Sequence, residues 1–171
     1  VAGRSAMIAA ASEETSMDTA AFLKEFCAAV ERRDGKAFSA LFTEDGVYHD
    51  VFYGAFKGHA AIAEMIDDRF YRTARDFRWE MFRPVSDGKT LYTYYTFSYV
   101  SLLPEARGKR VGFDGVSIMA LRDGRIAEYR EVANSSIGLL EIGFAPERVA
   151  KILSKEAAHI KARPEWKRHT A

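Results

Sequence analysis

The stretch Asp114-Gly115-Val116-Ser117-Ile118-Met119-Ala120-Leu121-Arg122-Asp123-Gly124-Arg125-Ile126-Ala127-Glu128-Tyr129-Arg130-Glu131-Val132-Ala133 decides the fold class. Two runs of aliphatic and aromatic residues flank Asp123-Gly124, a dipeptide that readily takes the positive φ angles of a two-residue hairpin turn. Side chains alternate along a strand and pair across the ladder, so the turn sets the faces. With Arg122 opposite Arg125, Ile118 is expected opposite Tyr129, Val116 opposite Glu131, and Asp114 opposite Ala133. Asp114 and Glu131 then become diagonal neighbours on an otherwise apolar wall.

Asp87-Gly88 repeats the signal upstream. Pairing Ser86 with Lys89 puts Trp79 and Met81 on one face with Tyr94 and Ser98, and this face is expected to point inward. The opposite face carries Glu80, Phe82, Tyr95 and Phe97. In the second hairpin the outward set is expected to include Phe113, Ser117, Met119, Ile126 and Val132. That set is too apolar to leave in water, which points to a homodimer packed through the outer sheet face. Upstream, Val47 to Phe52 reads as a strand with Tyr48, Asp50 and Phe52 on one side and His49 on the other.

Helical spacing predicts a helix over Thr19 to Arg33, capped by Asp18 and burying Phe22, Phe26, Ala29 and Val30. A short helix over Lys36 to Phe42, a turn over Thr43 to Gly46, and a third helix over His59 to Thr73 follow. The remaining strands are expected over Phe77 to Val85, Thr90 to Leu102, Lys109 to Leu121 and Ile126 to Asn134. A terminal amphipathic helix begins at Pro146. Helices first and antiparallel strands after is an α+β layer pattern. Such a mostly antiparallel sheet curls around the N-terminal helices and leaves a conical hollow, the default place for a small ligand. The division is residues 1–16 as a disordered leader, 17–160 as one domain, and 161–171 as a basic tail.

The chain has 171 residues, 48% hydrophobic and 29% charged, with a net charge of +1. The balanced charge gives nucleic acid and anionic membranes no electrostatic handle, and no apolar stretch reaches a membrane span. Cys27 is the sole cysteine, so an intrachain disulfide is impossible and a reducing, cytoplasmic setting is expected. The same residue reads as buried rather than reactive. The histidines lack metal-ligand spacing, and no phosphate loop or dinucleotide fingerprint is present. Neither a metal nor a cofactor is expected.

The run Ala40-Leu41-Phe42-Thr43-Glu44-Asp45-Gly46-Val47-Tyr48-His49-Asp50, then Lys57-Gly58-His59-Ala60-Ala61-Ile62, resembles the nuclear transport factor two-like superfamily. Leu121-Arg122-Asp123-Gly124-Arg125-Ile126 with Tyr129-Arg130-Glu131 does the same, and within the superfamily the chain is similar to the SnoaL-like group. The resemblance spans about Thr19 to Phe144 and implies a cone-shaped, cystatin-like α+β roll with an internal pocket. The related limonene epoxide hydrolases carry a water-holding Tyr-x-Asn where this chain has Tyr48-His49-Asp50. Their last-strand acid corresponds to Glu131, while their middle-strand Arg-x-Asp falls at Ser98-Tyr99-Val100 and lacks the acid. By likeness to ketosteroid isomerases, Asp50 takes the place of the general base. Their oxyanion tyrosine falls at Phe26 and their second aspartate near Val116, with Asp114 the nearest carboxyl.

Together these readings name Asp50 as base, with Tyr48 and Glu131 orienting substrate or water. Asp114, Trp79, Met81, Tyr94, Ser98, Val116, Ile118, Tyr129 and Phe26 are the expected substrate-contacting residues. Burial among aromatic rings would raise a carboxyl's pKa toward the range useful for proton transfer. Each candidate also has a plain structural role open to it: Asp50 bonding a backbone turn, Glu131 bracing the sheet, Tyr48 filling the core. Two functions follow, a cofactor-free acid/base enzyme on an apolar oxygenated molecule, or a non-catalytic ligand-binding or scaffold protein.

Overall fold

The computed structural model describes residues 17–170; the expected leader, residues 1–16, lies outside them. Helix α1 (Thr19–Glu31) starts where the Asp18 carboxylate accepts hydrogen bonds from the N–H groups of Ala20 and Ala21 at 3.1 and 3.0 Å. Those bonds satisfy two donors that have no partner inside the helix. Helix α2 (Gly35–Ala40) is capped in the same way by Asp34, which accepts from the Ala37 N–H at 2.8 Å. Phe42 does not end this helix; it opens strand β1 (Phe42–Asp50). The expected turn over Thr43 to Gly46 is an irregular stretch of that strand, where paired positions five apart on β1 meet positions only two apart on the neighbour.

Strand β2 (Gly54–Lys57) returns antiparallel to β1. The expected third helix is three segments in sequence: α3 (Gly58–Glu64), a π-helical stretch (Met65–Phe70) and the turn α4 (Tyr71–Thr73). Ile62, Met65, Ile66 and Phe70 all face the core as their spacing predicts. Strands β3 (Ala74–Ser86), β4 (Thr90–Ser101), β5 (Arg110–Arg122) and β6 (Arg125–Ala133) complete a six-stranded sheet. Its order is β2-β1-β6-β5-β4-β3, antiparallel throughout except that β1 runs parallel to β6. Helices α5 (Ser135–Ile142) and α6 (Pro146–Lys161) follow, the first of them absent from the sequence reading. One core joins α1 to α3 with the concave sheet face.

Asp123 and Gly124 take φ of 53° and 71°, and Arg122 pairs with Arg125, the two-residue turn read from the sequence. The register then slips. Leu121 faces Ile126 but Ala120 faces Glu128, so Ala127 is an extra, bulged residue. A bulge reverses which face the following side chains occupy. Tyr129 therefore pairs with Met119 and Glu131 with Ser117, not with Ile118 and Val116. Ser117, Met119 and Ile126, expected outside, are completely buried.

The first hairpin is corrected for the same reason. Ser86 pairs with Leu91, and a second bulge at Arg83-Pro84 brings Phe82 opposite Tyr94 and Trp79 opposite Phe97. Arg83 sits at φ 52° there, and Pro84 has no N–H to give the ladder. Tyr95 and Phe97 thus face inward with Trp79, while Tyr94 and Ser98 face out.

Candidate functional site

The parallel pairing of β1 with β6 assembles the site. Tyr48 is in register with Tyr129, so Asp50 and Glu131, each two residues further along, lie side by side on the concave face. Adjacent strands stand roughly 4.8 Å apart. Beneath the two carboxyls, the rings of Tyr48 and Tyr129 stack with centroids 4.4 Å apart and planes 10° from parallel. Above them opens a cavity of about 80 Å³, walled by Trp79, Tyr95, Phe97 and Phe113 as well as by Tyr48, Asp50 and Glu131.

Each carboxyl has one oxygen anchored. Oδ1 of Asp50 accepts the N–H groups of Phe52 and Tyr53, both at 2.8 Å, and so holds the turn into β2. Oε2 of Glu131 accepts the Tyr95 hydroxyl at 2.6 Å and, more weakly, the Tyr129 hydroxyl at 3.4 Å. Tyr129 and Ser117 share a further bond of 2.9 Å. Oδ2 of Asp50 and Oε1 of Glu131 have no hydrogen-bond partner among the described residues. A carboxyl fixed by one oxygen leaves the other for substrate or water.

Burial pushes Asp50 up to about 6, against the pull of its two backbone hydrogen bonds. Burial first, and the charge of Asp50 second, push Glu131 up to about 8 despite its two tyrosine donors. The sequence of ionisation follows. Asp50 loses its proton while Glu131 is still neutral, and the new charge then keeps the Glu131 proton on. Near pH 7 the site holds one carboxylate and one carboxylic acid. Burial raises Tyr48, Tyr95 and Tyr129 above the ordinary phenol value, which keeps them as neutral donors.

Tyr95 is the site residue that sequence reasoning placed on the wrong face. It reaches Glu131 because Gly115 is its cross-strand partner. A Cβ at Gly115 would stand 2.7 Å from the Tyr95 hydroxyl and 2.6 Å from the Val132 carbonyl oxygen, closer than real Cβ atoms come. The Pro84 bulge is the signal that could have found it.

The other candidates divide clearly. Trp79 lines the cavity, and its buried indole N–H has no acceptor among the described residues. Tyr129 lies under Glu131. Phe26 is fully buried against Phe38, Trp79 and Tyr129, below the cavity floor. Met81 faces inward and packs on the core outside the cavity wall. Asp114, Tyr94, Ser98, Val116 and Ile118 are removed from the site by the two bulges and sit on the outer face. There Asp114 accepts the Tyr94 hydroxyl at 3.0 Å, and Ser98 accepts from Arg110 at 3.1 Å. Cys27 is buried, and burial pushes its thiol up to about 12, so it is a packing residue. Among the described residues no group of three or more His, Cys, Asp or Glu could hold a metal ion.

Fold and register define the class, an α+β roll of the nuclear transport factor two-like superfamily. The chain belongs to the SnoaL-like family, whose domain model matches residues 23–129. A search of curated proteins found no match. Among solved structures, a Catenulispora acidiphila protein with a ketosteroid isomerase-like fold, in complex with trimethylamine, superposes with a TM-score of 0.65 at 16% identity, covering 74% of this chain and 95% of that one. TerC, co-crystallised with polyporic acid, gives 0.62 at 18% identity over 73% and 98% of the two chains. An epoxide hydrolase of Mycobacterium tuberculosis, resembling limonene epoxide hydrolase, gives 0.57 at 20% identity over 78% and 92%.

Proposed function

We propose that this protein is a cofactor-free acid/base enzyme acting on a small, apolar, oxygenated molecule. The supporting observation is the pair Asp50 and Glu131: two carboxyls in one aromatic cavity with their pKa values pushed apart, to about 6 and about 8. Environments that separate two such groups assign acid and base. Asp50, ionised near neutrality, removes a proton through its unpaired oxygen. Glu131, still protonated, delivers one from Oε1 or hydrogen-bonds a developing oxyanion, with Tyr95 holding Oε2. Isomerisation beside a carbonyl, aldol-type cyclisation and water addition all use this sequence. Val100 stands where the epoxide hydrolases carry their ring-opening acid, so the proposal does not include epoxide opening by that route.

The test is proton exchange. In heavy water, a panel of apolar enolisable ketones is followed by NMR for deuterium uptake next to the carbonyl. The wild type should exchange at least one of them, and Asp50→Asn should lose about 100-fold or more of that rate. Exchange that survives Asp50→Asn undiminished would contradict the assignment. The non-catalytic reading draws on one observation, that Asp50 already serves the β1–β2 turn. It requires Asp50→Asn to change the turn and leave no rate to lose.

A further inference from the structure

The cavity beside the two carboxyls, about 80 Å³, is too small to enclose a whole small molecule. Small-molecule sites run to roughly 300–1,000 Å³. A second chamber, of about 460 Å³, adjoins it through a shared wall made by the turn Asp50–Tyr53 with Thr73, Tyr99 and Leu103. Its far side is built by the C-terminal helices, beyond the stretch that matches the SnoaL-like domain. Helix α5 closes onto β5 because Gly138 lets it approach: a Cβ there would stand 3.2 Å from the Phe113 ring. The N–H of Gly112 also donates to Glu141 of α5 at 2.8 Å.

Helix α6 presents Arg148, Ile152, Lys155 and His159 to this chamber. Steps of four, three and four residues place them on one helical face. Arg148 is anchored, lying 3.5 Å over the Phe144 ring and pairing with Glu105 at 3.1 Å. Lys155 makes no ion pair among the described residues. Glu156 is the one α6 carboxylate in the wall, and it accepts the Ser135 hydroxyl at 3.4 Å. The α6 wall thus carries three basic side chains, one of them held by Glu105, beside one carboxylate, whereas the smaller cavity carries the two carboxyls Asp50 and Glu131.

We propose that the ligand spans both chambers, with an apolar portion in the cone beside Asp50 and Glu131 and an anionic end held at α6 by Lys155 and His159, with Arg148 alongside. The inference rests on the ligand site proposed above and adds the class and orientation of what fills it. An anionic end is drawn to α6 and repelled by the Asp50 carboxylate, so only one end of the molecule enters the cone.

A matched pair of fluorescent probes tests this: neutral N-phenyl-1-naphthylamine and 8-anilinonaphthalene-1-sulfonate, the same rings with and without an anion. Both are titrated against the full chain at pH 7. The sulfonate should bind at least about tenfold more tightly. The double variant Lys155→Glu, His159→Glu should weaken the sulfonate by about tenfold or more and move the neutral probe less than about twofold. Thr73→Trp, which puts an indole at a position lining both chambers, should abolish both. Equal affinity of the two probes, or a double variant that affects them alike, overturns the two-chamber proposal while leaving the cone as a ligand site. Binding that persists in Thr73→Trp places the probes elsewhere and overturns it too. If neither probe binds, the cone reading falls with it.

Discussion

Glu131, with 9% of its surface exposed, is held where its charged form is unfavourable. Its folded pKa of about 8 lies above an unfolded value of roughly 4.3. Between those values the folded chain binds more protons than the unfolded one, so stability must fall as pH rises through that window. Asp50, raised to about 6, adds to the same slope from roughly pH 4 upward. Glutamine at position 131 keeps an acceptor for Tyr95 and removes the charge. Glu131→Gln should therefore be more stable than the wild type at pH 8.5, by on the order of 1–3 kcal/mol. Urea unfolding at pH 5 and pH 8.5 measures this. Identical pH slopes in the two proteins would show that Glu131 ionises freely.

Among the elements, the strands that carry the site are where sequence and structure part. Alternation and the Asp-Gly turns locate β4 to β6 to within a residue and β3 except for its first three residues, and the motif around Tyr129-Arg130-Glu131 puts Glu131 inward. The partners of those residues were not legible, because one bulged residue reverses every face beyond it. Ala127 carries no mark of its own. The spacing of Ile126, Tyr129 and Glu131, which breaks a period of two, is its only trace. Pro84 is a stronger trace, since proline in a strand belongs at edges and bulges. Alternation along β1 leaves both of its faces open, and the resemblance to ketosteroid isomerases and epoxide hydrolases points to Asp50 and Tyr48, whereas the parallel β1–β6 pairing that joins Asp50 to Glu131 needs tertiary structure. Gly115 belongs to this scale too. Gly115→Ala should push Tyr95 off Glu131 and cost about 1–3 kcal/mol of stability. Loss of the downfield Tyr95 hydroxyl proton in NMR spectra would accompany it. A variant with wild-type stability and an intact Tyr95–Glu131 bond would contradict the close packing described.

At the scale of the molecule, the bulges that fill the cone also dress its outside. Phe82, Tyr94, Val116 and Val132 are successive partners across β3, β4, β5 and β6, a single apolar row over the outer face. Three of them are well exposed, Phe82 at 38%, Val116 at 37% and Val132 at 64%. We propose a homodimer through this row, which keeps Val132 from the outward set read from the sequence and leaves out Ser117, Met119 and Ile126. Sedimentation at micromolar concentration should give a dimeric mass, and Val132→Asp a monomeric one with the fold intact. A monomeric wild type would rule the dimer out. No helix among the described residues is long and apolar enough to cross a membrane.

Two carboxyls share one aromatic cavity, and their surroundings push their pKa values apart. Site-resolved NMR of their carboxyl carbons, from pH 3 to pH 10, observes this without knowing the substrate. Asp50 should titrate near 6 and Glu131 near 8, with Asp50→Asn moving the Glu131 midpoint down because the neighbouring charge is gone. Midpoints for both near 4, the ordinary value for carboxyls in water, would contradict the account.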